Sequence, residues 1–500
     1  MTTGAWVVPL VVAVPLAGAF ITALLGRRVP RLPDIMGAAV TFLSMALSIA
    51  GVAVVRSQGA IVYPMGGWPP PFGIALVLDG LSAFLLVTVT VIAFFVSLYS
   101  IDYMERFTSK WQFYCLFLLM LAGMNGVVVT GDIFNLFVFL EIAAVASYAL
   151  VAFGTEKQEL EAAFKYAVMG SVGSLFILLA IVFLYGSAST LNMADLARTI
   201  RQMQAPSLIV LVSGLFVVGF GLKAAAVPFH AWLPDAHPSA PAPISAMLSG
   251  VLIKSLGVYA LCRIFYNVIG FTAHTSAILL FLGALSMVIG VFLAIGQWDL
   301  KRLLAYHSIS QIGYVLLGVG LGTPLGILGG LFHLLNHSVF KSLLFLNSGA
   351  LEYATGTRDL RKMGGLAKSM PVTGSTTLVA SMSIAGIPPF NGFWSKLIII
   401  VAAVEAGRYG YAFWAVLASL FTLASFMKVM RYAFYGEAKD RAGAPVAEAP
   451  AYMKLAMIGL AVICVLGGLL LLPGLSHGFL EAAADALAKG TQYGSVLVVR

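Results

Sequence analysis

Four lysines, Lys223, Lys254, Lys341 and Lys396, and one glutamate, Glu141, lie inside long apolar stretches of this chain. A charged side chain at the middle of a bilayer costs about 3 kcal/mol on insertion scales, so five facing lipid would cost on the order of 15 kcal/mol. They must face one another, or water, inside a helix bundle. Ionisable groups set in such a row suit the passage of protons or ions. His333, Asn336, His337 and Lys341 occur within Leu331-Phe-His-Leu-Leu-Asn-His-Ser-Val-Phe-Lys-Ser-Leu343, with the histidines and the lysine at i, i+4 and i+8. That spacing puts them on one helix face. Two histidines four apart can bind a metal, but a catalytic metal wants a third ligand and this face offers a lysine. A proton relay through imidazoles fits the stripe better, since histidine titrates nearest neutrality.

The remaining polar residues of the apolar segments have two readings each. Glu141 is either a protonated acid hydrogen-bonded within the bundle or a carboxylate paired with Lys223 of a neighbouring helix; the second is favoured, because an ion pair keeps both charged. Lys254 is too far from either end of its segment to snorkel to the interface, and burial makes an ammonium ready to give up its proton. His307 is either a link between the stripe and Lys254 or a polar packing residue. His230, Asp235 and His237 belong to a Pro-rich turn expected at the cytoplasmic mouth, with structural hydrogen bonding as their work. Lys428, near Arg431, reads as an interfacial anchor.

These residues need elements to hold them. The chain has 500 residues, is 60% hydrophobic and 10% charged, with mean hydropathy +0.98. Such a composition specifies a polytopic all-α membrane protein and leaves no stretch for a soluble catalytic domain. Runs of about 20 apolar residues predict fourteen spans at 5–25, 34–55, 77–100, 112–130, 133–153, 164–186, 208–230, 241–264, 274–296, 302–321, 325–350, 372–403, 409–433 and 452–472. The first, Trp6–Leu25, has no basic leader or small-residue cleavage site and reads as a retained span. With the N-terminus outside, 17 of the 29 Lys and Arg, among them Lys301, Lys439 and Arg441, fall in inside loops. Seven, among them Arg263 and Arg500, fall outside. This bias places both termini on the outer side of the inner membrane. Cys115, Cys262 and Cys464 are isolated and form neither a disulfide framework nor an iron–sulfur site.

Two spans are interrupted by proline, at Pro228 in the seventh and at Pro388 and Pro389 in the twelfth. Proline removes a backbone donor and clashes with the preceding turn, so the helix unwinds. Paired breaks are the mark of inverted-repeat transporters. Spans 4–8 and 9–13 would be two inverted five-helix repeats, each broken at its fourth helix. The chain then divides into three N-terminal helices (1–111), a first repeat (112–264), a second (272–435) and a last helix with a tail (436–500).

The chain resembles the antiporter-like family shared by complex I membrane subunits, Mrp-type cation/proton antiporters and energy-converting membrane hydrogenases. Gly131-Asp-Ile-Phe-Asn-Leu-Phe-Val-Phe-Leu-Glu141, Lys223-Ala-Ala-Ala-Val-Pro-Phe-His-Ala-Trp-Leu-Pro-Asp-Ala-His237 and Leu300-Lys-Arg-Leu-Leu-Ala-Tyr-His-Ser-Ile-Ser-Gln-Ile-Gly-Tyr314 carry the resemblance, with His333–Lys341 and Pro388-Pro-Phe-Asn-Gly-Phe-Trp-Ser-Lys396. It implies a fourteen-helix fold in which Glu141, Lys223, Lys254, His333, His337, Lys341 and Lys396 form the proton pathway. Some members have glutamate where this chain has Lys396. The chain lacks the long lateral helix of the largest complex I member and is similar to the shorter complex I subunits or the D-type subunit of Mrp antiporters.

The expected function is proton translocation within a larger membrane complex. Protons would enter near the first break, pass from Lys223 to Lys254, then through His307 and the His333/His337/Lys341 stripe to Lys396. Glu141–Lys223 would be the switch. The rival readings are a stand-alone carrier of a small solute and a non-conducting scaffold. The expected partners are other hydrophobic membrane subunits, related antiporter-like subunits among them, with peripheral redox subunits in a respiratory complex; protons, and Na+ in an antiporter, are the ions. No cofactor, metal or nucleic acid is called for, and any redox reaction would belong to other subunits.

Overall fold

The computed structural model describes residues 4–203, 205–437 and 446–495, so Lys439, Arg441, Arg500 and both chain ends lie outside the described residues. α1 (Val7–Leu25) and α2 (Leu32–Gln58) lead into a hairpin of β1 (Ile61–Pro64) and β2 (Ala75–Leu78), then α3 (Gly80–Tyr103). α4 (Lys110–Val129), α5 (Ile133–Val151), α6 (Lys157–Ala188) and the short α7 (Met193–Gln202) follow. A broken pair, α8 (Pro206–Ala224) and α9 (Leu233–Ser239), precedes α10 (Ala242–Val268). Next come α11 (Ala273–Ile295), α12 (Leu300–Gly320) and α13 (Pro324–Thr355). A second broken pair, α14 (Pro371–Ala385) and α15 (Asn391–Glu405), leads to α16 (Tyr409–Tyr435), α17 (Ala451–Leu471) and α18 (Leu480–Ala488).

Twelve helices among the described residues are long and apolar enough to cross a membrane. The two remaining expected segments are also helical. One is α13, whose interior carries His333, Asn336, His337 and Lys341; the other is the pair α14 and α15, each of 15 residues.

α10, α12 and α13 form the centre: every described residue of α10 is buried, as is the run Leu331–Leu351 of α13. Apolar faces left open, such as Phe164 and Leu175 on α6 and Phe413 and Leu420 on α16, are where lipid or other chains pack.

The apolar run of the third span starts at residue 77, but Ala75-Leu-Val-Leu78 is strand β2, paired antiparallel to β1 with Ile61 opposite Leu78. An apolar strand abutting an apolar helix reads as one run. The boundary is set by Asp79, whose carboxylate caps α3 by accepting from Ser82 N at 2.7 Å. α10 also extends past the expected end at 264 to Val268, wound as a π-helix over Leu248–Tyr259 and again over Arg263–Val268.

Candidate functional site

The first charged pair stands where α5, α6 and α8 meet. Asp132 starts α5 by accepting from Asn135 N at 2.7 Å, and this sets the register that brings Glu141 to α6 and α8. Ser174 of α6 donates to the Glu141 carboxylate, and Lys223 Nζ lies 3.5 Å from its Oε1. Lys223 also donates to the Tyr148 hydroxyl at 3.5 Å. The lysine side chain is 4% exposed but the glutamate is 30% exposed, toward the outside of the bundle.

α8 ends one residue after Lys223, where Ala225 turns into the left-handed region (φ 54°) ahead of Pro228. Freed backbone groups at membrane depth need partners. Here Trp232 Nε1 donates to Leu222 O at 2.9 Å, Ala226 N to Gly221 O at 3.0 Å, and Val227 N to Ser286 Oγ at 2.9 Å. Trp232 stacks on Tyr166 at 4.2 Å, and Tyr166 stands edge-on to Tyr148 at 4.6 Å. The break and the lysine thus share one aromatic support.

Lys254 is fully buried in α10. Its ammonium turns back onto its own helix, donating to Ser249 O at 2.5 Å and Gly250 O at 2.7 Å. The π winding takes these carbonyls out of the ordinary i→i−4 ladder, and such turns recur at functional positions. α10 crosses α8 at Gly257, where a Cβ would come 2.4 Å from Ala224 N, so only glycine allows the helix carrying Lys254 to approach the residue beside Lys223.

On α13 the side chains of His333, His337 and Lys341 are fully buried. His333 bonds on both sides, Nδ1 to Ser395 Oγ at 2.9 Å and Nε2 to Gln311 Oε1 at 3.2 Å. His337, its ring centre 6.3 Å from that of His333, has no partner at either nitrogen among the described residues. It stands within electrostatic reach of Lys254, Lys341 and Lys396. Lys341 donates to Leu304 O of α12 at 2.9 Å. Asn336 is used structurally, donating to Asn391 O at the start of α15 at 3.0 Å.

Lys396 follows the second break and reaches back across it. Its Nζ donates to Ile384 O at 2.7 Å and to Ser419 Oγ at 3.0 Å, while Ser419 donates to Ala385 O at 3.0 Å. Gly386 makes the turn at φ 80°, ahead of Pro388 and Pro389. The ammonium also lies 4.7 Å from the centre of the Tyr314 ring. Ser395, adjacent to Lys396, is the residue bonded to His333, so the stripe and the second break meet at neighbouring positions.

Four side chains, His307, His237, Arg263 and Lys301, stand elsewhere than the sequence suggests. His307 does not bridge to Lys254: Nε2 bonds Ser425 Oγ of α16 at 2.8 Å, and it is the next residue, Ser308, that reaches α10, through Ser249 Oγ at 2.6 Å. His237 does not line the mouth. α9 folds its C-terminal end inward and Ser245 Oγ donates to the His237 carbonyl at 2.7 Å, leaving the ring fully buried with both nitrogens unpartnered among the described residues. The ring stands edge-on to Phe345 at 5.1 Å, and Lys341 Nζ lies 5.9 Å from the same phenyl. Arg263 is not an outer-loop cation. It is buried on α10 and paired with Asp79 at 2.8 Å. Lys301 is buried as well, 3.1 Å from Glu352 and 3.1 Å from Ala240 O. Lys428 caps the end of α11, donating to Ile295 O at 2.6 Å and Gln297 O at 2.7 Å.

Asp235 does lie at an opening. A cavity of about 320 Å³ there is lined by Lys165, Asp235, Asp299, Arg302 and Arg358, with Lys165–Asp235 at 3.2 Å and Arg358–Asp299 at 3.2 Å. Sequence reasoning missed His237 because a Pro-rich turn reads as a loop; its signal was the Pro–x–x–His–Pro run that makes a short inward helix.

Two family models match the chain: NADH:quinone oxidoreductase/Mrp antiporter, TM, over residues 130–422, and NADH-Ubiquinone oxidoreductase (complex I), chain 5 N-terminus, over residues 70–114. The D-type subunit of the Na(+)/H(+) antiporter of Alkalihalophilus pseudofirmus is 38% identical over 389 residues, covering 77% of this chain and 78% of the relative. The N-type subunit of the NADH-quinone oxidoreductase of Desulforudis audaxviator is 38% identical over 432 residues, covering 85% and 86%. Among solved structures, a chain of the Mrp complex from Dietzia sp. DQ12-45-1b superposes with a TM-score of 0.92 at 30% identity over 100% of both chains. A chain of the membrane-bound sulfane sulfur reductase, an archaeal respiratory membrane complex, gives 0.90 at 31% identity over 98% and 99%. With the fold, the matched length and these identities in agreement, the chain belongs to the NADH:quinone oxidoreductase/Mrp antiporter family of membrane proteins.

Proposed function

We propose that the chain is a proton-translocating, antiporter-like subunit of a multisubunit membrane complex of the Mrp or complex I-like type. The observation that carries the reading is the row of ionisable side chains set across five helices, the half-buried Glu141 and the buried Lys223, Lys254, His337 with His333, Lys341 and Lys396, ending against both helix breaks. A scaffold would have no use for imidazoles that bond nothing, and a solute carrier would gather its charges around one central cavity.

Protons enter from the cytoplasmic side by the charged opening at Asp235 and Arg302. His237, buried behind it, hands them toward Lys341 and Lys254. The stripe His337–His333 carries them to Ser395 and Lys396, which releases them on the far side; His307 lies within electrostatic reach of Lys341 and Lys396 and serves as a side station. Glu141–Lys223 is the coupling pair. The two repeats, 112–264 and 272–435, are inverted copies, a reading supported by breaks that both pass through a left-handed residue before proline. The basic loops hold the chain in the inner membrane with both termini outside.

A mid-helix carboxylate that is 30% exposed cannot be left to lipid. A second hydrophobic subunit therefore covers the α5–α6 face and reaches Glu141. Mass spectrometry of co-purifying subunits separates the two types of complex: only small hydrophobic partners mean a cation/proton antiporter exchanging Na+, and iron–sulfur or quinone-site partners mean a respiratory complex. In proteoliposomes of the whole assembly, Glu141→Gln and Lys223→Ala reduce proton movement to the leak of protein-free vesicles. Undiminished transport in both would overturn the reading.

A further inference from the structure

Away from the proton row, a second and larger cavity opens at the end of the bundle that carries the basic loops. It has a volume of about 630 Å³ and lies between the start of α4, the end of α5 and the segments that join them to α3 and α6. Its apolar lining is Leu116 and Phe153, both half-buried, and the exposed Ala149. Its rim is polar, with Arg106, Ser109, Gln112 and Thr155. Among the described residues the side chains of Ser109, Gln112 and Thr155 bond nothing within the chain, and Arg106 has no carboxylate partner. The Arg106 guanidinium is instead laid over the Tyr353 ring at 4.4 Å, which fixes its plane and leaves its edge donors free. Trp111, whose indole suits the membrane–water boundary, also lines the cavity. Gly26 packs on that tryptophan, a Cβ there coming 2.9 Å from Trp111 Cβ, so the exposed Arg27, Arg28 and Arg31 of the α1–α2 link run along the same side.

We infer that this cavity is a binding site for an anionic phospholipid. The phosphodiester is taken by Arg106 and the free hydroxyl and amide donors of the rim, and an acyl chain lies along Leu116, Ala149 and Phe153. Each half of the site alone would fit something else: an apolar slot would accept any lipid tail, and a donor-lined rim any soluble phosphate. Together, at the depth of a headgroup and beside a run of arginines, they match one amphipathic anion. The site is also placed to matter, since Ala149 and Phe153 flank the end of the helix that bears Glu141.

The test uses the full chain purified with its accompanying subunits and native mass spectrometry in the presence of phosphatidylglycerol or phosphatidylcholine. Retained phosphatidylglycerol should exceed phosphatidylcholine, and Arg106→Gln should reduce it by about fivefold, as befits one cation beside an anionic headgroup. Ala149→Trp narrows the apolar side of the cavity and should lower retention of both lipids; it decides the matter alone if Arg106→Gln does not yield a folded protein by thermal unfolding. Equal retention of the two lipids, or unchanged phosphatidylglycerol in both variants, overturns the site. Complete displacement by inorganic phosphate overturns the lipid as its ligand in favour of a soluble phosphate.

Discussion

Replacing His337 by phenylalanine separates a proton carrier from a structural histidine. The imidazole is fully buried, and neither nitrogen has a partner among the described residues. A buried polar group left without a protein partner costs about 1–3 kcal/mol. Two nitrogens therefore set an upper bound of about 6 kcal/mol of desolvation that phenylalanine would remove, reduced by whatever water bridges the gap to His333. That gap, 6.3 Å between ring centres, is too long for a direct hydrogen bond and suits a bridging molecule. Phenylalanine keeps the ring contact with Phe340, now at 5.6 Å, at the cost of some overpacking, about 1–3 kcal/mol. His337→Phe should consequently be as stable as the parent, or more so, while proton movement in proteoliposomes falls to the background leak. A structural histidine would behave the other way, with unfolding at a lower temperature and transport intact. That outcome would refute the assignment of His337 to the relay and the reasoning from unpartnered nitrogens with it.

Two further predictions concern stability. Arg263→Leu strands the Asp79 carboxylate in a buried site, which should cost about 3–5 kcal/mol; adding Asp79→Ser, which keeps a cap for Ser82 N, should recover most of it in thermal unfolding, and no recovery would mean that the pair is not what holds α3 to α10. Burial raises the Asp132 carboxyl above the ordinary carboxylate range, partly opposed by the N–H groups of Asn135 and Phe134. The folded state therefore favours the protonated acid, and the contribution to stability is lost as pH rises through the folded pKa. Asp132→Asn keeps the cap and should stabilise more at pH 7 than at pH 4, whereas Asp132→Ala also loses the cap and should be about 1 kcal/mol less stable than Asp132→Asn at either pH; equal effects of Asp132→Asn at both pH values would contradict the sign.

The helices were legible because each needs a run of apolar residues long enough to cross a bilayer, and Pro228, Pro388 and Pro389 stand where α8 and α14 give way to loops. The meeting of Glu141 and Lys223 was legible for a related reason: neither has a counter-charge in its own segment. What could not be read depends on contacts between distant parts of the chain. Arg263 finds Asp79 184 positions away, and nothing local distinguishes it from an interfacial arginine. Lys301 pairs with Glu352 in the same manner. His237 is turned inward by a helix too short to show a period, Leu233–Ser239. Ala75-Leu-Val-Leu78 is as apolar as the helix after it, so the strand was hidden by its neighbour.

The four interior lysines divide by what holds them, and the division follows from donor counting. Lys254 gives two hydrogen bonds, both to carbonyls of its own helix, and Lys396 gives one to a carbonyl and one to a hydroxyl. A neutral amine still has two N–H donors, so both arrangements survive loss of the proton without leaving an acceptor bare. Lys341 asks for still less, one carbonyl and the face of Phe345. Lys223 differs, because its partner is a carboxylate whose own stability depends on the positive charge opposite. Deprotonating Lys223 strands Glu141, and moving Glu141 strands Lys223. The first three lysines are built to change protonation state at little structural expense, while the fourth is tied to a carboxylate open to the side of the bundle, where a neighbouring subunit can act on it.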